Sequence, residues 1–178
     1  MMRVERLNFV QFASPAGSIL VCAGPEGVCL LHIDRNDALS EADSVQLVMY
    51  HHRHCEIDET AHLALLQDVK KAILDYFDKR IPLPPIPVDL GNSSAFQQQV
   101  WKELQKIPFG ETRSYLQIAT SIGKPSAARA VGQACGRNPV PVIIPCHRVL
   151  AGNGKLGGFS SGLHIKKVLL ELEQTGPC

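Results

Sequence analysis

The sequence lacks three features that would place it in a special class of protein. No apolar stretch approaches the roughly 20 residues that a membrane-spanning helix needs, and Met1–Arg6 alternates in charge without the apolar core of a secretory signal. The six cysteines are spread over 178 residues rather than concentrated in a small disulfide scaffold. We therefore expect a soluble intracellular protein, cytoplasmic or, in a eukaryote, nuclear.

Acidic residues are scarce in the C-terminal half of the chain. Residues 1–91 hold 8 Lys and Arg against 13 Asp and Glu, a net charge of −5, whereas residues 92–178 hold 10 against 4, a net charge of +6. An acidic half followed by a basic half is typical of a protein whose basic part binds a polyanion such as DNA. The alternative is that small domains drift by a few charges without functional meaning.

The first part of the chain predicts a small α/β scaffold. Three short β-rich runs, 7–12, 18–23 and 28–33, are separated by turns that contain glycine and proline, a pattern typical of an antiparallel meander. Residues 55–58 are a candidate fourth strand. Apolar residues then recur at helical spacing from Leu63 to Phe77, which predicts a helix packed on the sheet.

A proline-rich segment, Ile81–Pro87, divides the chain. Proline runs are extended and semi-rigid, and they end a preceding helix. We therefore assign residues 1–88 to an N-terminal domain with this linker at its end, and residues 92–178 to a C-terminal domain. Apolar stripes at helical spacing predict that the C-terminal domain is mainly helical and that its last helix is Leu163–Gln174.

Two short helices across a tight turn predict a helix-turn-helix in the C-terminal domain. Ser114–Gln117 has the Ser-x-x-Gln pattern of a capping box and opens the first helix, Gly123–Ser126 forms the turn, and Ala127–Cys135 forms the second helix. The second helix consists mostly of small residues, with Arg129 as its long side chain near the start. Small residues let a helix approach DNA closely, and a lone arginine can insert between bases. The alternative is a core helix with Arg129 in solvent.

The most informative stretch chemically is Pro145-Cys146-His147-Arg148-Val149. It follows the apolar run Val140–Ile144, which predicts a buried strand or extended core segment, and it precedes the glycine-rich residues 152–162. Most free cysteines are small buried hydrophobic residues. Histidine and arginine directly after the thiol instead favour a nucleophile at the mouth of a cavity. Glu171 and Glu173 have the wrong sign for a helix C-terminus, so one of them is expected to serve another purpose.

Two further patterns, a set of potential zinc ligands and a glycine motif, could suggest a cofactor site, but neither fits one. Potential zinc ligands occur in the N-terminal half: Cys22, Cys29, His32, His51, His52, His54 and Cys55. Their spacing does not match a paired-ligand pattern, and the first three lie in strand-like runs, so we expect no metal. Gly152–Gly157 reads G-x-G-x-x-G, but no strand follows to carry a ribose-binding acid, so no dinucleotide site is expected.

Taken together, the C-terminal motifs resemble the O6-alkylguanine-DNA alkyltransferases, also called methylated-DNA–protein-cysteine methyltransferases. The resemblance covers nearly all of residues 92–178 and rests on stretches in the right order: Phe96–Trp101, Ile107–Thr112, Ser114-Tyr115, Ala128–Gly132, Asn138-Pro139, Ile144–Val149 and Leu169-Leu170. It implies a ribonuclease-H-like α/β domain followed by a winged helix-turn-helix-like domain. It also implies DNA repair by direct, irreversible, stoichiometric transfer of an alkyl group from O6 of guanine, and also from O4 of thymine, to Cys146, with base flipping and without a cofactor.

The resemblance implies a role for each catalytic residue. Cys146 accepts the alkyl group, His147 generates the thiolate through a water, and Glu173 orients that histidine. Tyr115 donates a proton to the leaving guanine. This division of work suits the chemistry, because a thiolate is a strong nucleophile and a guanine anion is a poor leaving group.

The resemblance also implies how DNA is bound. Arg129 replaces the flipped nucleotide in the base stack, and the DNA-contacting set comprises Tyr115, Ala128, Arg129, Ala130 and Gly132. The substrate pocket comprises Asn138, Val149, Phe159 and Ser160. Asn138 braces the turn before the active site, Ser160 contacts the guanine oxygen, and the backbone of Cys146 and Val149 reads the guanine amino group. Phe159 stands where many members of the family have tyrosine, and Ser161 replaces a glycine.

The expected partner is double-stranded DNA that contains O6-alkylguanine, entered through the minor groove by a monomer. One alternative is a non-catalytic protein that recognises alkylated DNA, but such proteins carry another residue in place of the cysteine. A cysteine hydrolase is a third class. It needs a histidine that faces the thiol, whereas neighbours on an extended strand point to opposite faces, which leaves His164 as the other nearby candidate.

Overall fold

The structure is a computed structural model of the chain and describes residues 5–34, 39–52, 54–91, 93–152 and 154–176. Predictions that involve Asn92, Asn153 or Cys178 fall outside these ranges. The chain separates into two compact units. The first comprises Met1–Asp78 and Leu83–Asp89, and the second comprises Lys79–Pro82 and Leu90–Cys178.

A four-stranded sheet forms the centre of the first unit. Its strands are β1 (Glu5–Ser14), β2 (Gly17–Gly24), β3 (Gly27–Asp34) and β4 (Cys55–Ile57), in the order β3-β2-β1-β4. The first three strands pair antiparallel, which confirms the predicted meander. The prediction of an antiparallel sheet is wrong at its fourth strand, because β4 pairs parallel to β1. Helix α1 (Glu41–His51) lies between β3 and β4, and such a crossover lets the chain return in the direction of β1.

Helix α2 (Leu63–Lys79) follows the predicted apolar periodicity. Its buried residues are Leu66, Val69, Ile73, Tyr76 and Phe77, whereas Leu63 is 49% exposed. The end of the proline-rich linker then returns to the sheet. There the Val28 N–H donates to the Pro87 oxygen, and the Asp89 N–H donates to the Val28 oxygen. A β-carbon at Gly27 would lie 2.5 Å from the Pro87 carbonyl oxygen, and its φ is +137°, so this close approach requires glycine.

Four helices and a short strand pair form the second unit in the described residues. The helices are α3 (Ala95–Leu104), α4 (Tyr115–Ser121), α5 (Ala128–Gly136) and α6 (Leu163–Gln174), and β5 (Arg113–Ser114) pairs parallel to β6 (Val149–Leu150). The capping box predicted at Ser114 and Gln117 is confirmed. None of the helices in the described ranges is both long and apolar enough to cross a membrane.

Helix α3 supports α5 from behind. The buried indole of Trp101 on α3 donates a hydrogen bond from Nε1 to the backbone oxygen of Ala134 on α5, at 2.9 Å. Leu104 and Val131 are also fully buried on these two helices. The buried side of α5 therefore faces the protein core, and its remaining side is left for other contacts.

The apolar run Val140–Ile144 is buried, but the prediction that it is extended is wrong. It turns back on itself: the Ile144 N–H donates to the Val140 oxygen at 2.9 Å, and Val142 has a φ of 74°. Proline has no backbone N–H, so Pro139 and Pro141 cannot complete a strand ladder. The structure instead presents Cys146, which follows Pro145, from a compact turn.

Candidate active site

Asn138 ties the compact turn to the thiol of Cys146. Its Nδ2 donates hydrogen bonds to the Ile144 oxygen at 2.8 Å and to Cys146 Sγ at 3.1 Å, while its Oδ1 accepts from the Val140 N–H at 3.1 Å. Asn138 follows the end of α5, and its side chain is buried. One amide therefore satisfies the backbone of the turn and also presents a donor to the sulfur.

Cys146 begins a 3-10 turn, Cys146–Arg148, and is only 2% exposed. Burial raises the pKa of its thiol to about 11, although the Asn138 donor and the charge of Lys166 act in the opposite direction. The thiol is therefore the resting form at neutral pH. The prediction that the chain is extended around Cys146 and His147 is wrong. In a 3-10 turn, neighbouring side chains do not alternate between opposite faces as they do on a strand.

His147, Arg148 and Glu173 form a buried hydrogen-bonded cluster in which Arg148 and Glu173 are charged. His147 Nε2 lies 2.8 Å from Glu173 Oε1, and Arg148 donates from Nε to Glu173 Oε2 at 2.8 Å and from a terminal nitrogen to Oε1 at 2.9 Å. Burial acts to raise the pKa of Glu173, but the hydrogen bonds from His147 and Arg148 outweigh it and hold the pKa at about 2. Glu173 is therefore ionised at neutral pH and paired with Arg148.

The charge of Glu173 fixes the tautomer of His147. Burial lowers the pKa of His147, so the ring is neutral at neutral pH. An ionised carboxylate can only accept hydrogen bonds, so Nε2 must carry the ring proton and donate it to Glu173. Nδ1 then carries the lone pair; it is buried and has no hydrogen-bond partner among the described residues. The cluster thus holds a neutral imidazole with its basic nitrogen available.

The loop after α3 is fastened to the same carboxylate. The Gly110 N–H donates to Glu173 Oε2 at 3.1 Å, and Arg148 donates to the Ile107 oxygen at 2.7 Å. The Arg148 guanidinium also lies over the Phe109 ring, 5.9 Å from its centroid. These contacts hold His147 and Glu173 in place from two sides.

Tyr115 is the first residue of α4 and is half-buried. Burial raises the pKa of its hydroxyl to about 12, helped by the negative charges that Cys135 and Cys146 would carry when ionised. Gly157 makes room for its hydroxyl, whereas a β-carbon at Gly132 would only reach ordinary contact with its ring. A β-carbon at Gly157, whose φ is +63°, would lie 2.6 Å from the hydroxyl oxygen, and one at Gly132 would lie 3.7 Å from the ring.

The remaining predicted residues line α5 and the loop before α6. Arg129 is exposed near the start of α5, without a hydrogen bond or ion pair to the described residues. Ala128, Ala130, Gly132 and Phe159 are half-buried, and Ser160 is exposed. No hydrogen bond joins Phe159 or Ser160 to Cys146, His147 or Tyr115 within the described ranges. Val149 is buried, and its carbonyl accepts a hydrogen bond from Lys166 at 2.6 Å.

Three buried residues of the site were not identified from the sequence: Cys135, Arg148 as the partner of Glu173, and Lys166. Apolar periodicity predicts that Ile165, Val168, Leu169 and Leu172 form the inner face of α6. Ile165 and Leu169 are buried as predicted, whereas Val168 and Leu172 are only half-buried. The structure also buries Leu170 and two charged residues, Lys166 and Glu173, although charged residues are seldom fully buried. The signal was the spacing of Lys166, Leu169 or Leu170, and Glu173, which is the spacing of one helix face.

Where the structure describes them, the cysteines and histidines of the first unit do not form a recognisable metal centre. Cys22 and Cys29 are buried in the sheet, where the Cys29 thiol lies 3.5 Å from the Cys22 oxygen. Among the described residues, no group of three or more His, Cys, Asp or Glu is placed to hold a metal ion.

The second unit is similar to a known family. A family model described as "6-O-methylguanine DNA methyltransferase, DNA binding domain" matches residues 95–175. Methylated-DNA–protein-cysteine methyltransferase of Methanosarcina barkeri is 62% identical over 79 residues, which is 44% of this chain and 50% of that protein. The chain thus spans half the length of that relative.

Two other similarities cover almost the whole chain. The constitutive methylated-DNA–protein-cysteine methyltransferase of Bacillus subtilis is 35% identical over 162 residues, which is 90% of this chain and 92% of that protein. The crystal structure of Mycobacterium tuberculosis OGT in complex with DNA superposes with a TM-score of 0.74 at 35% identity, and covers 97% of this chain and 96% of that one.

Proposed function

The chain belongs to the methylated-DNA–protein-cysteine methyltransferase family, and from this premise we propose that it repairs O6-alkylguanine in duplex DNA by transferring the alkyl group to Cys146. One observation carries the proposal: a buried thiol receives a hydrogen bond from Asn138 and lies next to a neutral histidine that is held by Glu173. Nucleophile, donor and oriented base are the parts that activation of a cysteine needs.

Activation begins from the thiol. His147 accepts the Cys146 proton at Nδ1 through an intervening water, and Glu173 stabilises the imidazolium that forms. The Asn138 amide donates to the sulfur, which favours the thiolate. Because burial keeps the pKa of Cys146 near 11, the base is needed to generate the nucleophile at neutral pH.

In the transfer step the thiolate attacks the alkyl carbon. A carbon–sulfur bond forms, the bond from carbon to O6 of guanine breaks, and the guanine leaves with the electron pair. Tyr115 protonates the leaving guanine, and its raised pKa keeps the hydroxyl protonated until that moment. The thioether that results is stable, so each molecule acts once. We propose that O4-alkylthymine reacts in the same way.

DNA is bound by a winged helix-turn-helix that contains α4 and α5. The half-buried small residues Ala128, Ala130 and Gly132 let α5 approach the minor groove, and exposed Arg129 fills the gap left by the flipped base. Flipping is required because the alkyl carbon is inaccessible inside a duplex. We propose that a monomer suffices, with the ribonuclease-H-like first unit as scaffold.

The flipped guanine occupies a pocket formed by Asn138, Val149, Phe159 and Ser160 next to Cys146. Ser160 contacts the guanine oxygen, and the backbone at Cys146 and Val149 reads the amino group. Phe159 has no hydroxyl to contribute to this recognition. Ser161 in the same loop stiffens it and narrows the range of alkyl groups accepted.

Transfer to one cysteine is tested by peptide mapping. Trypsin releases residues 138–148 as a peptide whose sole cysteine is Cys146. After incubation with a duplex that contains O6-methylguanine, this peptide should gain one methyl group, and labelling should saturate at one group per protein. Cys146→Ser should abolish labelling, whereas Cys55→Ser, at a half-exposed thiol of the first unit, should not. Repeated turnover or a label elsewhere contradicts the proposal.

A further inference from the structure

Lys166 on α6 is a buried lysine. Its side chain is fully buried, and within the described part of the chain no carboxylate forms an ion pair with it. Its Nζ donates a hydrogen bond to the Val149 backbone oxygen at 2.6 Å, and the amine also lies 6.0 Å from the centroid of the Tyr115 ring. A buried charge is costly unless an opposite charge compensates it.

The groups that can compensate this charge are thiols. Ionised Cys146 and Cys135 both favour the protonated form of Lys166, against the burial that lowers its pKa. The same attraction acts in reverse, because the charge of Lys166 lowers the pKa of both thiols. Val149 supplies a structural link as well: its N–H closes the turn onto the Cys146 oxygen, and its carbonyl receives Lys166.

The surrounding groups leave Lys166 as the uncompensated positive charge. Among the described residues, Tyr115 on α4 and Cys135 on α5 interact with the Cys146 thiol, while His147 and Arg148 in the turn pair with Glu173 on α6. Tyr115 and Cys135 both have a pKa of about 12 and are neutral at neutral pH. Neutral His147 adds no charge, and the Glu173 and Arg148 charges cancel each other.

We propose that Lys166 is a positioning residue for the transfer reaction: its buried ammonium group is the counter-charge of the Cys146 thiolate, and its bond to Val149 fixes the turn that presents the sulfur. The inference rests on the proposed role of Cys146 as nucleophile. The tautomer and charge of His147 explain how the thiol proton is removed. Lys166 explains why the resulting anion is tolerated in a site without bulk water.

The charge is separated from the hydrogen bond by two variants. Lys166→Met removes both, whereas Lys166→Gln removes the charge and keeps an N–H donor on a side chain that is one atom shorter. Lys167→Met is the matched control, since Lys167 is the next residue on α6 but its side chain is 64% exposed and lies near Glu171. Each protein is alkylated with iodomethane over a range of pH, and the methylated 138–148 peptide is quantified. In that reaction the carbon–sulfur bond forms, iodide leaves, and the thiol proton passes to solvent.

Both Lys166 variants should shift the midpoint of the Cys146 pH profile upward by about one pH unit or more, and should slow alkylation at neutral pH about tenfold. Lys167→Met should match the unmodified protein. If Lys166→Gln keeps the original midpoint, the hydrogen bond alone matters and the counter-charge is excluded. Iodomethane needs no DNA, so this assay can fail while repair succeeds, or succeed while repair fails.

A reciprocal measurement guards against variants that do not fold. Cys146→Ala leaves Lys166 in place and removes the main thiolate that favours its charged form. The carbon-13 chemical shift of Lys166 Cε should therefore report deprotonation at lower pH in Cys146→Ala than in the unmodified protein, because coupling between two charges acts equally on both. An unchanged Lys166 titration overturns the proposal regardless of how the Lys166 variants behave.

Discussion

Gly110, His147 and Arg148 all donate hydrogen bonds to the carboxylate of Glu173, and the last two directly follow Cys146 in the chain. The arrangement resolves the unfavourable sign of acidic residues at the end of α6. Glu171 has a side chain that is 61% exposed, whereas that of Glu173 is 1% exposed and bound. An acidic residue in the last turn of α6 lowers the stability of the helix, but Glu173 in return keeps His147 neutral and oriented.

Glu173 should therefore make stability depend on acid pH. Its folded pKa of about 2 lies below the ordinary value of 4.5, so its contribution is complete above pH 4.5 and is lost as the pH falls toward 2. That contribution is roughly 3 kcal/mol at neutral pH. Urea unfolding as a function of pH should show the loss in the unmodified protein and in Glu171→Gln, but not in Glu173→Gln. An equal acid dependence in all three would contradict the assigned pairing.

At the scale of the elements, α5 and the loop before α6 approach Tyr115 from two sides. Gly157 is required by both space and backbone conformation, whereas nothing lies within 4 Å of a β-carbon at Gly158. Two adjacent glycines in one loop thus differ sharply in what they tolerate. The difference offers a direct probe of whether the position of the Tyr115 hydroxyl matters for chemistry.

Gly157→Ala should displace the Tyr115 ring and slow transfer at least tenfold, by the loss of a positioned proton donor. Gly158→Ala, the matched control, should retain most of the activity. Single-turnover rates on duplex DNA and on free O6-benzylguanine are the measurement. We expect both substrates to be affected, because protonation of the leaving guanine belongs to the chemistry itself. A Gly157→Ala protein of normal rate would remove Tyr115 from the proposed mechanism.

Helix α5 carries the complementary experiment. Arg129→Ala should slow duplex repair strongly but barely slow reaction with free O6-benzylguanine, because only the duplex has a gap to fill. Tyr115→Phe should slow both. Arg137→Ala, at the other end of α5 and also exposed, is the control. Equal losses on duplex and free base for Arg129→Ala would reassign Arg129 to a structural role.

At the scale of the whole molecule, charge is divided between the two halves of the sequence. Several basic residues of the C-terminal half are already paired within the protein: Lys106 and Arg113 with Glu103, Arg148 with Glu173, and Lys167 with Glu171. Lys102, Lys124, Arg129, Arg137 and Lys155 are exposed. Because some basic residues already pair with carboxylates, fewer of them are left to bind a polyanion than the 10 Lys and Arg of this half would suggest.

Because these exposed basic residues would bind phosphates, duplex binding should weaken steeply with salt and show little dependence on base sequence. For B-DNA, the slope of log affinity against log salt is about −0.9 for each phosphate contact. Removing one residue that contacts a phosphate should make this slope less steep by about 0.9. Fluorescence anisotropy across a salt series, with Cys146→Ala to prevent reaction, measures this directly. Binding that is insensitive to salt is incompatible with phosphate recognition.

The sequence by itself determined the features that depend on neighbours a few residues apart. The Ser114 capping box, the span of α6 and the antiparallel meander follow from local hydrogen bonding, periodicity and turn residues. The motif around Cys146 led to the proposal that this cysteine is the nucleophile, because such a motif depends only on which residues are neighbours in the chain. Local rules act within one turn or one strand, so they suffice for these elements.

Only the tertiary structure decided what joins distant segments. The parallel pairing of β4, the turn at Val140–Ile144 and the burial of Lys166 depend on residues far away in the chain. The protonation state of His147 depends on Glu173, 26 residues later. The partner of a buried charge is the group that the fold places next to it, and neither periodicity nor composition predicts which group that is.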